Sequence, residues 1–389
     1  MNIAFCYECV LPARGGCATE IANLARRLVA DGHDVHVYAC RWDADALPAR
    51  THYHRVQLPP SPRFIRPWSF GAACLRALQQ ADHDVTMGFD KTWGLDVLYP
   101  QGGLYAANAE YNLLKYSSPV KRRMLRMLKY VDPAHLSFCL LERRQYLGRR
   151  RSLIVAISEM VRDHFQHYYG IASADLRLVR IAADQTKFDE HDRPRRRLEW
   201  RQRWGIRPEE TVALFVGMNY RLKGVEPLLH AVKLLAPSKP FRLLVAGNRH
   251  TVDVEDLARR VGVTGRVRFV GYRQDIVNCY FASDFLVHPT FYDPCSHVVL
   301  EAMTCGLPVI TTRYNGASEL LHPPREGFVI ADPHDHGHLA WCLTQFLDPG
   351  RRSRCGQAAR RISTQWTFEH HYRQLLDVFG EAMARKKAA

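Results

Sequence analysis

The 389-residue sequence has no apolar run approaching the roughly 20 residues needed to span a bilayer. Met1-Asn2-Ile3-Ala4-Phe5 enters an apolar segment with no basic leader before it, so neither a signal peptide nor a membrane span is expected. A cysteine framework is missing too. The 11 cysteines are odd in number and scattered through a chain large enough to fold without staples, which points to a reducing cytoplasm and no disulfides. Cys6-Tyr7-Glu8-Cys9 is a lone C-x-x-C without a second pair or a nearby His pair, so Cys6 reads as core. The 19 histidines, including the adjacent His370 and His371, show no H-E-x-x-H or similar ligand spacing, and no metal site is expected. The triplets Asp43-Ala44-Asp45 and Asp82-His83-Asp84 fall in surface-type segments and read as solvated loops.

The composition that remains is that of an ordinary globular protein, with 47% apolar, 24% charged and 11% aromatic residues. Its length suits two domains of roughly 200 residues better than one core. A formal charge of +15 implies attraction to polyanions without saying which kind. The distribution of that charge has to decide.

Hydrophobic patterning gives the organisation. The apolar run Ile3 to Cys6, the pair Gly15-Gly16, a helical stripe through Ile21, Leu24, Ala25 and Leu28, and Val35 to Tyr38 make a strand, turn, helix and strand in Rossmann order. The turn lacks the complete G-x-G-x-x-G, so no nicotinamide cofactor is indicated. Short apolar strands recur near 85–87, 153–157 and 176–179, and again at 212–216, 243–246, 267–270, 285–288 and 309–312, with helix-length segments between them. The reading is α/β, with an N-terminal Rossmann-like domain over 1–188, a polar Arg-rich linker over 189–203 and a C-terminal Rossmann-like domain over 204–365. Residues 366–389 form a last helix with a stripe through Tyr372, Leu375, Leu376 and Phe379 that can pack back on the N-terminal domain.

Open parallel sheets bind ligands beyond the carboxyl ends of their strands, and the chemistry-bearing turns sit there. Gly217-Met218-Asn219-Tyr220-Arg221-Leu222-Lys223-Gly224 follows a strand and puts two cations before a helix N-terminus. By composition it is a diphosphate clamp or a solvated basic turn. Beyond the strand ending at His288, a Pro-bearing loop displays Asp293, and a helix opens near Ser296, His297 and Val298, whose amides favour an anion. Glu301 follows on the early turns of that helix.

Asp293 and Glu301, eight positions apart, resemble the E-x7-E signature of retaining GT-B glycosyltransferases, particularly family 4. Arg221 and Lys223 resemble that family's donor-phosphate pair, Arg273 in Gly271-Tyr272-Arg273-Gln274-Asp275 its base-contacting turn, and Gly15-Gly16 its N-domain loop. The likeness covers nearly the whole chain. Gly88-Phe89-Asp90-Lys91-Thr92-Trp93-Gly94-Leu95-Asp96-Val97 is similar, within the family, to the lipopolysaccharide core glucosyltransferases. The resemblance implies two Rossmann-like domains with parallel sheets facing across a cleft, and a hexose, glucose in those relatives, moved with retention from a UDP-sugar to a lipid-linked saccharide. It implies no cofactor and no metal, with Arg221, Lys223 and the amides near Ser296 neutralising the diphosphate, Glu301 accepting from the ribose and Asp293 holding sugar hydroxyls. Asp293 stands where the family usually has Glu, Cys295-Ser296-His297 replaces a usual apolar-Gly-apolar stretch, and Gly102 and Glu20 occupy positions at which the glucosyltransferases carry Asp.

Segment 105–151 interleaves Lys115, Lys121-Arg122-Arg123, Arg126, Lys129 and Arg143-Arg144 with Leu113, Met124, Leu125, Met127 and Leu128. It reads as a basic, apolar-studded helix pair suited to an anionic membrane surface, or as a cationic hairpin covering the N-terminal sheet. A lipid-linked acceptor would place the protein in the cytoplasm, peripheral at the inner face of the inner membrane. Two rival classes are a GT-B nucleotide-sugar epimerase, which needs no acceptor, and a basic nucleic-acid-binding protein, for which the sequence has the charge but no recognised motif. No nucleic-acid partner is expected.

Overall fold

A computed structural model describes residues 1–12, 16–148, 152–188 and 191–388 and divides the chain into two compact units. Unit 1 comprises Met1–Leu113, Ser118–Arg180 and Glu369–Ala389; unit 2 comprises Leu114–Ser117 and Ile181–Phe368.

Unit 1 is built on a parallel sheet of seven strands, in the order His52–Arg55, Asp34–Ala39, Asn2–Cys6, Val85–Gly88, Val97–Leu98, Leu153–Ala156 and Leu176–Leu178. Ile3, Ala4, Phe5 and Cys6 have no exposed surface, because helices cover the central strands on both faces and a continuous apolar run is then stable. Burial of the Ile3 and Phe5 side chains contributes about 1.5–3 kcal/mol each. The last helix, Phe368–Ala388, is tied to this unit by His371 Nε2 at 2.8 Å from Glu20 Oε1, both buried. Arg177 and Arg385 add ion pairs to Glu381 and Asp175, at 2.7 Å each.

Unit 2 has a six-stranded parallel sheet ordered Val267–Gly271, Phe241–Gly247, Thr211–Gly217, Phe285–His288, Val309–Thr312 and Gly327–Ile330. Numbered along the chain this is 3-2-1-4-5-6, the doubly wound order. Its switch point lies between Thr211–Gly217 and Phe285–His288, where successive connections leave in opposite directions.

The Arg-rich stretch read as linker is corrected by the structure. Arg193–Arg203 is a helix of unit 2 with Trp200 and Arg201 buried. Two of its cations are paired inside the unit: Arg201 donates to the carbonyls of Ala282 and Arg207, and Arg197 to Asp284 Oδ1 at 2.7 Å. Residues 189 and 190 lie outside the described residues.

Candidate functional site

The switch point of unit 2 brings two loops together. The chain leaving Thr211–Gly217 makes a tight turn, in which Asn219 Oδ1 accepts from the Leu222 amide (3.1 Å), and enters the helix Val225–Lys233 through Gly224. Gly224 has a φ of 82°, and a Cβ there would overlap the carbonyl oxygen of Pro289 in the neighbouring loop. Only glycine lets the two loops approach so closely. The approach places Lys223 Nζ 2.7 Å from Asp293 Oδ2 and 3.2 Å from the carbonyl of Tyr292.

Asp293 is held from three sides. Its backbone bonds to the 314–316 loop, the Asp293 amide donating to Tyr314 O and the Gly316 amide to Asp293 O, both at 2.9 Å. His288, at the end of its strand and 1% exposed, sets Nε2 3.5 Å from the same carboxylate oxygen that Lys223 binds. Burial pushes the Asp293 carboxyl up, but the Lys223 ammonium and the His288 ring outweigh it and hold the group well below the usual carboxylate range. Burial also lowers His288, which is therefore a neutral imidazole at pH 7.

The helix His297–Thr304 follows, with Ser296 at its N-cap in an extended conformation. The Ser296 amide does not face the ligand space as expected; it donates to Asn315 Oδ1 at 3.2 Å, which also takes the Ala317 amide. The amides of His297 and Val298, in the first turn, have no intrahelical acceptor. Four residues on, Glu301 accepts a 2.6 Å hydrogen bond from the Tyr280 hydroxyl. Burial raises its pKa against the opposing effect of that hydrogen bond.

Lys223 and Asp293 thus meet at the strand ends of the switch point, and Ser296, His297, Val298 and Glu301 follow at the start of the next helix, Glu301 bound to Tyr280. Arg221 is exposed, its guanidinium 5.5 Å above the Tyr116 ring. Arg273 is engaged by Asp275 (3.2 and 3.3 Å) and lies 5.0 Å over the Trp200 ring. Gly16 begins the helix Gly16–Ala30 of unit 1, and Gly15 lies outside the described residues. His288, Asn315 and Tyr280 escaped the sequence reading. Their only signals were a strand-terminal His, an Asn before Gly and an apolar-looking Tyr.

Elsewhere, the helix Pro119–Lys129 has no buried residue, and Val120, Met124, Met127 and Leu128 are exposed alongside its cations. Residues 149–151 of the basic segment lie outside the described residues. No group of His, Cys, Asp and Glu among the described residues could hold a metal ion, and no helix among them is long and apolar enough to cross a membrane.

Comparison with known proteins fits this arrangement. Residues 196–362 match the family described as glycosyl transferases group 1, and residues 14–98 the one described as Glycosyltransferase Family 4. The chain is 27% identical over 351 residues to the lipopolysaccharide glucosyltransferase WaaG of Escherichia coli (strain K12), covering 89% of this chain and 90% of that one. Superposed on the crystal structure of WaaG, it gives a TM-score of 0.82 over 97% of this chain and 99% of that one, at 24% identity. The D-inositol 3-phosphate glycosyltransferase of Corynebacterium kroppenstedtii is 28% identical over 245 residues, 60% of this chain and 54% of that protein. The Anabaena protein Alr3699/HepE, solved in complex with UDP-glucose, shares the fold with a TM-score of 0.71 at 17% identity, over 97% of this chain and 99% of that one.

Proposed function

We propose that this chain, whose residues 196–362 and 14–98 match the group 1 and family 4 glycosyltransferase models and whose fold is GT-B, moves a hexose, with retention, from a UDP-sugar to a lipid-linked saccharide. Glucose is the favoured sugar and a lipopolysaccharide core the favoured acceptor, in keeping with the similarity to WaaG. The observation that carries the reading is the Lys223–Asp293 ion pair at the switch point of unit 2, where doubly wound sheets bind their ligands.

In this reading Arg221 and Lys223 bind the donor diphosphate, assisted by the amides of His297 and Val298, so that charge developing on the leaving group is met by fixed cations and dipoles. No metal or cofactor is then required. Glu301, fixed by Tyr280, accepts hydrogen bonds from the ribose hydroxyls. Asp293, ionised and oriented by Lys223, holds hydroxyls of the transferred sugar, and its side chain, one methylene shorter than Glu, bears on which hexose fits. Arg273 borders the base. The acceptor hydroxyl attacks the face that the diphosphate leaves, and its proton passes to the departing phosphate oxygen. Unit 1 supplies the acceptor side, and its exposed helix Pro119–Lys129 lies on anionic lipid at the cytoplasmic face of the inner membrane. The EX-type acidic pair alone would also suit an epimerase, which acts without an acceptor.

A panel of UDP-, GDP- and ADP-sugars tests this function. One UDP-hexose is expected to be transferred or slowly hydrolysed, with Glu301→Ala nearly abolishing the turnover; no response to any of them contradicts the proposal.

A further inference from the structure

His288 has no part in the transfer proposed above, yet it is fixed at the centre of the switch point. Its side chain is 1% exposed and lies stacked on the Phe215 ring, with centroids 5.9 Å apart and an interplanar angle of 28°. Its carbonyl is pinned by the Thr311 hydroxyl at 3.0 Å and the Thr290 amide at 2.9 Å. Neither ring nitrogen is hydrogen-bonded, an unusual state for a buried imidazole. Nε2 stops 3.5 Å from Asp293 Oδ2, and the other acceptor beside the ring is the Val216 carbonyl.

Two acceptors suit an imidazolium, which donates from both nitrogens, better than a neutral ring, which donates from one. Burial and the Lys223 ammonium, bound to the same Asp293 oxygen at 2.7 Å, keep the ring neutral against them. Lys223 and Asp293 are the charged groups that act on it. Without ligand the three side chains therefore balance as one cation, one anion and one neutral ring. A diphosphate upsets that balance. The ammonium has three N–H groups and already donates to Asp293 and to the Tyr292 carbonyl, so a diphosphate bound at Lys223 shares with Asp293 a cation that the carboxylate had to itself. The added negative charge also offsets, at His288, the field of Lys223 that opposed protonation.

We propose that His288 is a positioning residue of the donor site: as the donor diphosphate engages Lys223, the ring takes a proton from solvent and donates it in a hydrogen bond from Nε2 to Asp293, which stays ionised and in place. This rests on the donor reading above. The proton stays on the ring while the donor is bound and returns to solvent when the diphosphate leaves. Because the proton is held only together with the donor, affinity falls as pH rises, by at most about tenfold per pH unit where uptake is complete.

Calorimetric titration of the full-length protein with UDP-glucose, without acceptor, reads the proton directly. UDP-glucose is the probe because the terminal phosphate of UDP itself titrates near neutral pH. At neutral pH the apparent enthalpy is expected to differ between phosphate and Tris, which differ in ionisation enthalpy, in the sense of uptake and to the extent of about one proton, and affinity to fall several-fold from about pH 6.5 to about pH 8.5. His288→Gln keeps a donor but cannot titrate, and is expected to bind with an enthalpy independent of buffer and an affinity nearly independent of pH. Should that variant not fold, Asp293→Asn removes the charge that the ring answers and is expected to abolish the uptake as well. Binding by the wild-type protein without buffer dependence overturns the inference. Uptake that persists in folded His288→Gln also overturns it and assigns the proton to another group, such as Glu301. A wild-type protein that does not bind UDP-glucose overturns the donor reading instead.

Discussion

Lys223 and Asp293, 70 positions apart in the chain, form a 2.7 Å ion pair with side chains only 20% and 13% exposed. Two loops that carry nothing in common in sequence are locked together at the ends of adjacent strands, and Gly224 is what permits their approach. The pair positions a carboxylate and a cation at the switch point, where doubly wound sheets in general bind ligands.

Removing one partner of so enclosed a pair leaves the other charge uncompensated. Lys223→Met is expected to lower stability by roughly 3 kcal/mol, read as a shift of the denaturation midpoint in urea. Asp293→Asn, which retains a polar group beside Lys223, should cost less. Equal stability of Lys223→Met and wild type would show that the pair is not enclosed as described. Because the folded Asp293 titrates below its unfolded value of about 3.9, the pair's contribution is intact above that pH and lost only as pH falls further, through the folded value.

A second pH effect belongs to unit 1. His36 stacks on His52 and His54 and meets His83 edge-on, with centroids 4.6, 5.1 and 4.8 Å away. Burial, then the neighbouring imidazoles, push His36 down to about 4. Its unfolded value is about 6.5, so across the interval between them the unfolded chain binds a proton that the folded one refuses. Stability is therefore full above about 6.5 and declines as pH falls towards 4. Melting temperatures over this range should show that slope, and His36→Gln should flatten it; an unaltered slope in the variant assigns the effect to other groups.

The helix Pro119–Lys129 offers Met124, Met127 and Leu128, each more than half exposed, beside Lys121, Arg122, Arg123, Arg126 and Lys129. Sedimentation with anionic liposomes should carry the protein down at low salt and release it at high salt, while neutral liposomes leave it in solution. Met127→Asp with Leu128→Asp should weaken the binding. Equal sedimentation with both lipids removes the membrane role of this helix.

The sheets were legible in the sequence because their central strands are buried on both faces: Val212 to Phe215 and Ile3 to Cys6 read as unbroken apolar runs. Edge and very short strands were not. His52–Arg55 is polar and partly exposed, and Val97–Leu98 is two residues long, so neither has a pattern to detect. The stretch 189–203 reads as linker because so many cations look solvated, and only the fold reveals the carbonyls and carboxylates that receive those of Arg197 and Arg201 in the helix Arg193–Arg203. At the site, motif spacing placed Asp293 and Glu301 on one loop and helix, and Arg221 with Lys223 on another. That Lys223 is bound to Asp293, and Arg273 to Asp275, depends on side-chain partners that spacing does not encode.

The proposed function requires that unit 2 bind a uridine diphosphate sugar through Lys223, Asp293 and Glu301. Titration calorimetry with UDP, in buffer containing EDTA, tests it most directly. The wild-type protein is expected to bind saturably whether or not the chelator is present, with binding weakened about tenfold or more by Glu301→Ala as charged hydrogen bonds to the ribose are lost. No binding by the wild-type protein, or undiminished binding by folded Glu301→Ala, would contradict it.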